Sequence, residues 1–324
     1  DMIEKFQKDH LYNSLKPSLK KILDVEKLHR RMGLNLISPY EFFSIHTSYN
    51  YLIKIIECIN KPLPDVFEKY KDTIESLDKF MKDYQNIFQI DELEKYSLTN
   101  MITSVFQKGI YEDLDSLQDS IDNGLKNIQL FSKGLNKYID IKRDGCIKHD
   151  NNDKYGYYLY VTDNRAKTFQ NSVKHLSNTT IKIGDYTLDL KDIKFIKRGG
   201  NTHLEFPILT EITNKYSSER LKIQGINKEY FQKKCSEYYQ SYNELFDKLV
   251  ELIGFIDLNS CLAKVSIDNV YCKPGIIVSN KSMFSAKEIR HPIVERVQTE
   301  IEYIPNDVTL GENGILLYGT NACG

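Results

Sequence analysis

Tryptophan is absent from this 324-residue chain, and cysteine is sparse. The six thiols, Cys58, Cys146, Cys235, Cys261, Cys272 and Cys323, include no C-x-x-C pair. That spacing excludes a zinc ribbon or disulfide framework as the organising feature and predicts reduced thiols in an intracellular compartment: cytoplasm, nucleus or organelle matrix. No apolar run approaches the roughly 20 residues of a membrane helix. No secretory signal is visible either, so no membrane partner is expected. Excess charge is also missing: 44 Lys/Arg against 45 Asp/Glu leave a net charge of −1. The whole chain therefore has no general attraction for nucleic acid, and any such surface must be local. Hydrophobic residues make up 41% and charged residues 27%, a balance that suits long solvent-washed helices rather than one globule. The length allows two or three domains. The chain starts at Asp1 and ends inside a motif, so it is expected to be a piece of a larger protein. Abundant Lys, Asn, Ile and Tyr fit an A·T-rich genome.

What is present is mostly helical periodicity. Residues 1–35 read as helical, with a broken apolar face at Leu19, Ile22, Leu23 and Leu28 and with Arg30 and Arg31 in solvent. Ser38-Pro39-Tyr40-Glu41 is a capping box, with Ser as N-cap, Pro at the first helical position and Glu at the third. It opens a helix that carries Phe42, Ile45, Tyr49, Leu52, Ile53 and Ile56 on one face, and Pro62 and Pro64 end the segment. A less regular helix is expected over 65–86, then short or irregular elements over 87–112. From Leu114 through Leu117, Ile121, Leu125, Ile128, Phe131 and Leu135 to Tyr138, apolar residues predict a long amphipathic helix. Phe231, Cys235, Tyr238, Tyr242, Leu245, Leu249, Leu252 and Ile256 step by four and three, a heptad-like seam. A helix over 226–257 would span on the order of 45–50 Å and could pack antiparallel on 112–140.

Between these helices the period changes. Residues 144–154 read as a polar loop and Tyr155–Val161 as a strand. Strand-like pieces follow at Thr180–Ile183, Tyr186–Leu190 and Ile193–Ile196, with turns at Gly184-Asp185 and Gly199-Gly200. Helix resumes over 208–223. Residues 154–222 hold twelve Lys/Arg against seven Asp/Glu, a local charge of +5 in an otherwise acidic chain. A small basic β module in an acidic helical frame suits phosphate contact, and a solvated β surface would give the same count.

The chain closes on Ile315–Tyr318, which reads as a buried strand, and Gly319-Thr320-Asn321-Ala322-Cys323-Gly324. These last six residues match the start of G-x-x-x-x-G-K-[ST]. Glycines in that pattern let backbone N–H groups curl around phosphate oxygens where a Cβ would block the approach. A strand ending in an ordinary turn yields the same half-pattern.

The text before it sharpens the reading. Arg290-His291-Pro292-Ile293-Val294-Glu295, then Tyr303-Ile304-Pro305-Asn306, then the glycine loop closely resemble the start of the ATPase domain of the MutS mismatch-repair family. There, R-H-P-hydrophobic-hydrophobic-E, aromatic-hydrophobic-x-N and G-x-N-x-x-G-K-[ST] follow one another at this spacing. Thr320, Ala322 and Cys323 depart from the commoner Pro, Met and Gly or Ala. ILDVEKLHRRMGLNLISPYEF resembles the family's core, and Gln107–Leu117 its entry into the lever helices. GYYLYVTDNRAK resembles the opening strand of the clamp, and SIDNVYCKP the return to the core.

The resemblance implies a mainly α fold with a small inserted β module. Its parts would be a core helical domain (1–111), an outgoing lever helix (112–143), a basic β clamp (144–224), a returning lever helix and core (225–275), and the first strands of a P-loop α/β ATPase domain (276–324). It implies ATP and Mg²⁺ in the intact protein, with Gly319, Thr320, Asn321, Ala322, Cys323 and Gly324 at the phosphates and Tyr303 on adenine. It implies duplex DNA gripped through Asn164, Arg165, Lys167, Lys194, Lys197, Arg198 and Asn201, with Ile196–Thr202 in the place of the clamp's basic hairpin. ATP binding would control clamp and lever motion in mismatch repair, in a homodimer or family heterodimer joined through the full ATPase domain. The P-loop lysine, Mg²⁺ ligands and hydrolytic residues are not in the sequence, so no catalytic residue is assigned and the chain alone is expected to be inactive and to hold no nucleotide stably. Nor is there a Phe-x-Glu tripeptide, the family's mismatch wedge. His291 reads as a structural hydrogen-bonding residue and Asn306 as a turn residue. The mixture of features sits closer to the organellar and giant-virus branch than to bacterial enzymes. Two rivals are a coiled-coil ABC-type ATPase, which predicts no basic module at the helix turn, and a non-enzymatic helical scaffold whose terminal glycines are only a turn.

Overall fold

The computed structural model describes residues 2–140, 145–152, 156–297, 302–312, 314–316 and 318–319. About 60% of the chain is helical, with small antiparallel sheets. No described helix is long and apolar enough to cross a membrane. Two compact units divide the chain, Asp1–Asp268 and Asn269–Gly324.

In the first unit, α1 (Met2–Gln7), α2 (Leu11–Leu19), α3 (Val25–Gly33), α4 (Pro39–Asn60), α5 (Pro64–Lys69), α6 (Lys71–Ile87) and α7 (Ile90–Leu93) gather about the second half of a 62-residue helix, α10 (Pro207–Asp268). The capping box forms as expected. The Ser38 hydroxyl accepts from the Glu41 N–H at 3.2 Å, and the Glu41 carboxylate accepts from the Ser38 N–H at 2.8 Å. Arg31, expected in solvent, instead pairs with that same carboxylate at 2.8 Å and donates to the Leu36 carbonyl. A carboxylate fixed by its capping role is a ready partner for a guanidinium one short loop away.

Aromatic rings fill the interior. Phe80, fully buried, meets Tyr49 and Tyr84 from one side and Tyr238, Tyr242 and Phe246 of α10 from the other, at centroid distances of 4.6–6.3 Å. The seam from Phe231 to Ile256 is thus committed to this core and not, as its period suggested, to the 112–140 helix. That helix, α8 (Glu112–Asn136), runs antiparallel to the first half of α10 instead. Tyr111 stacks on Tyr230 at 4.2 Å, Tyr230 donates to Asp113 at 2.8 Å, and Ser120 donates to Glu219 at 2.8 Å. The change of partner has a local cause. Buried positions Ile223, Asn227, Phe231 and Cys235 are spaced by four three times in succession, which turns the buried face away from the strict heptad line. Nor do the separate helical stretches over 208–223 and 226–257 stay separate. Gly225 has open space around it, and a glycine inside a helix costs only about 1 kcal/mol, too little to break it.

The inserted module has its own core. It comprises β1 (Lys148–Asn152), β2 (Gly156–Thr162), α9 (Asp163–Lys174), β3 (Thr180–Ile183), β4 (Tyr186–Asp189), β5 (Lys194–Arg198) and β6 (Asn201–Glu205). The main sheet is antiparallel in the order β1-β2-β6-β5, and β3–β4 is a separate hairpin. Leu159, Val161 and Leu204 point from one sheet face to Phe131 and Leu135 of α8 and Phe169 of α9. The β3–β4 hairpin presses on α8 where Gly134 leaves no room for a Cβ, which would lie 2.8 Å from Ile183. Because Leu114 and Ile121 belong to the first core and Ile128 to the second, α8 spans both.

Three module elements escape the sequence reading: β1, expected as loop, together with α9 and β6. An edge strand such as β1 has its ladder supplied by β2 and needs no apolar alternation of its own. α9 buries only Ala166 and Phe169, too few to set a period.

The second unit pairs β7 (Phe284–Ile289) with β8 (Asn306–Leu310) in an antiparallel ribbon, and a short helix, α11 (Val294–Val297), lies between them in sequence. The buried strand expected at 315–318 does not form over the described residues. Ile315 is 52%, Leu316 85% and Tyr318 90% exposed, without strand structure. An apolar run becomes a buried strand only between neighbours, and no third described strand flanks the ribbon.

Candidate nucleic-acid interface

The residues expected to grip DNA fall on three adjoining elements. Asn164, Arg165 and Lys167 open α9, Lys194, Lys197 and Arg198 lie on β5, and Asn201 starts β6. The β5–β6 turn is a two-residue loop, Gly199-Gly200, with Arg198 opposite Asn201. Gly199 takes φ +65°, the left-handed conformation that tight hairpin turns demand and a Cβ would resist.

Asp163 ties α9 to this hairpin. Its carboxylate accepts from the Thr202 hydroxyl at 2.7 Å and pairs with the Lys197 ammonium at 3.0 Å. The Thr202 hydrogen bond, then Lys197, hold this carboxyl below its ordinary pKa. Arg198 pairs with Glu205 at 2.7 Å along the same hairpin. Lys197 remains 73% exposed, so its pairing leaves it open to exchange for a phosphate. Arg165 turns elsewhere and donates to the Cys146 carbonyl at 3.4 Å. Asn164, Lys167 and Lys194 are exposed.

The register places Lys148, Tyr160, His203 and Ile196 in one row across the face opposite the module's core. Tyr158 stacks on His203 at 4.2 Å with the rings 8° from parallel. Burial, then the neighbouring Arg198 charge, lowers the His203 pKa, which keeps the imidazole neutral. Sequence reasoning did not single out Lys148, Tyr160 and His203, which the register brings to this face. The one available signal was Lys148-His149 lying a hairpin's length before an aromatic strand.

In the second unit, the R-H-P-I-V-E segment folds on itself. Arg290 pairs with Glu295 at 3.4 Å. His291 Nδ1 accepts from the Ile293 and Val294 N–H groups at 3.3 and 3.2 Å, which caps α11 and places any ring proton of the neutral form on Nε2. The Tyr303 hydroxyl accepts from the His291 N–H at 3.0 Å, and Asn306 donates to the Ile304 carbonyl at 3.1 Å. His291 thus makes the hydrogen bonds expected of a structural residue. Gly319 is exposed, and Thr320, Asn321, Ala322, Cys323 and Gly324 lie outside the described residues. Among the described residues no His/Cys/Asp/Glu cluster is suited to a metal ion. Of the residues expected at the nucleotide, those described are Tyr303, half-buried, and Gly319.

A family profile described as MutS family domain IV matches residues 109–194, which take in α8 and the module as far as the start of β5. The mutS homolog L359 of Acanthamoeba polyphaga mimivirus, named for DNA mismatch repair, is 31% identical over 343 residues that cover 99% of this chain and 30% of that protein. The DNA mismatch repair protein MutS of Clostridioides difficile is 24% identical over 100% of this chain and 32% of its own length. That of Alkaliphilus metalliredigens is 23% identical over 92% and 30%. The chain belongs to the MutS family. It spans about a third of the length of these MutS relatives, and the domain IV match falls on its outgoing helix and basic module rather than on the aromatic core.

Proposed function

We propose that the chain is the core, lever and clamp portion of a MutS-family DNA mismatch-repair protein. Residues 112–143 and 225–275 act as lever segments and 144–224 as a clamp that contacts the backbone of duplex DNA. In the intact protein, ATP bound with Mg²⁺ at a P-loop beginning at Gly319 sets whether the clamp grips. Tyr303 stands beside the adenine, and a homodimer or family heterodimer forms through the full ATPase domain. The observation that carries the DNA reading is the β5–β6 hairpin, where Lys197 and Arg198 sit at a glycine turn and the 73% exposed Lys197 can exchange its carboxylate partner for a phosphate. The domain IV match over the neighbouring residues supports it.

The test is duplex-DNA binding by the chain as salt is raised. Lys197→Ala with Arg198→Ala should weaken binding equally for unrelated sequences and lower the slope of log affinity against log salt by about two. Unchanged affinity and slope would move the contacts elsewhere. For the nucleotide reading, Lys-Ser or Lys-Thr encoded directly after Gly324 is the expected result, and any other pair removes the P-loop.

A further inference from the structure

The opposite edge of the clamp sheet carries a groove that the hairpin reading does not include. Gln129 and Lys133 of α8, Lys148 and His149 of β1, and Tyr160 of β2 line a cavity of about 450 Å³. None of its described lining residues is a carboxylate.

Its floor is rigid. The buried Asn136 side-chain oxygen accepts from the Cys146 N–H at 2.8 Å, and the buried Ser132 hydroxyl donates to the Ile147 carbonyl at 2.7 Å. These bonds pin the chain just before β1 to α8, where Gly145 takes φ +77°. Lys133 lies in the last turn of α8, where a cation complements the helix end. That accounts for one charge only. Lys148 comes from a different element and is held opposite Tyr160 by the β1–β2 register. Two cations, an imidazole, a phenol and an amide are thus brought to one groove with no carboxylate among its described lining residues, whereas carboxylates pair Lys197 and Arg198 at the other edge.

We propose that this groove holds a backbone phosphate of a polynucleotide, as a second anchor beside the β5–β6 hairpin. The inference rests on the DNA reading above. Three strand spacings separate β1 from β5, about 14 Å at roughly 4.8 Å each. That span is on the scale of B-DNA groove widths of about 6 to 12 Å, so phosphates flanking one groove can reach the two edges.

The experiment is a fluorescence-anisotropy titration of a labelled duplex with the whole chain, from about 50 to 200 mM salt. It compares the native chain, Lys133→Ala with Lys148→Ala, and Lys197→Ala with Arg198→Ala. The groove variant should bind roughly tenfold more weakly at physiological salt, with the salt slope lower by about two and no dependence on sequence. Lys133→Arg with Lys148→Arg should bind like the native chain, and thermal melts should match throughout. If the groove variant binds like the native chain while the hairpin variant is weakened, the groove proposal falls and the DNA reading stands. Failure of the arginine pair to restore binding also overturns the groove, since the loss would not be electrostatic. If neither variant alters binding, or the native chain binds no duplex, the DNA reading itself fails and takes the groove with it.

Discussion

The two halves of α10 are one continuous helix put to different uses. From Phe231 onward it buries Phe231, Cys235, Tyr238, Leu245, Phe246, Leu249, Leu252 and Ile256 in a core built from seven shorter helices and their loops. The part before Phe231 buries Leu209, Thr213, Tyr216, Ile223 and Asn227, and also meets α8 through polar bonds such as Ser120–Glu219. Large apolar burial stabilises the one end, at about 1.5–3 kcal/mol per fully buried large side chain. The other end buries fewer large side chains, Leu209, Tyr216 and Ile223, and adds hydrogen bonds with a net contribution of about 0.5–1.5 kcal/mol each. The difference teaches that a long helix is held most firmly where it buries the most large side chains.

The largest effect that breaks this contrast should come from Phe80→Ala. It removes the ring that three aromatics of α10 pack against, and should cost about 3–5 kcal/mol in a urea melt. A loss under 1 kcal/mol would mean that the second half is no better anchored than the first.

Next in size is a pH effect. His29 stacks on Phe246 at 4.3 Å, its Nε2 is 2.6 Å from the Tyr49 hydroxyl, and burial lowers its pKa to about 4. The unfolded chain takes up a proton near pH 6.5 and the folded chain does not. Stability present above pH 6.5 is therefore lost as pH falls toward 4, by about 3 kcal/mol, and levels off below. His46, also lowered mainly by burial, acts in the same direction, so His29→Gln should flatten the profile from pH 7 to 4.5 without abolishing it. An unchanged profile would place the proton uptake elsewhere.

The smallest effect sharpens the boundary between the halves. Asn227, fully buried, donates to the Met101 and Thr103 carbonyls at 3.1 and 2.8 Å. Asn227→Ala should cost about 1–3 kcal/mol and raise hydrogen exchange locally around 101–106, with the aromatic core still protected. Exchange rising equally in both halves would show them to be one cooperative unit.

Much of this was legible in advance. Ser38 and Glu41 announced α4 because a cap is local chemistry, and the α8 period and the β3 and β4 strands survived because their neighbours agree with their own preferences. Of the candidate site, the hairpin and its basic residues were readable from Lys197-Arg198-Gly199-Gly200. The pairing of those charges with Asp163 and Glu205 was not, since strand register and the placement of α9 decide it. The groove at β1 was hidden for a similar reason, because its strand exists only through β2.

By itself the sequence determined the helix caps, the apolar stripes, the glycine turns and the ordered motifs, all set within a few residues along the chain. Tertiary structure alone decided which partner each stripe met, that a polar segment became an edge strand, and that the terminal apolar run stays uncovered over the described residues. The physical reason is that propensity and spacing act over one or two turns, whereas burial depends on surfaces that arrive from far away in the chain.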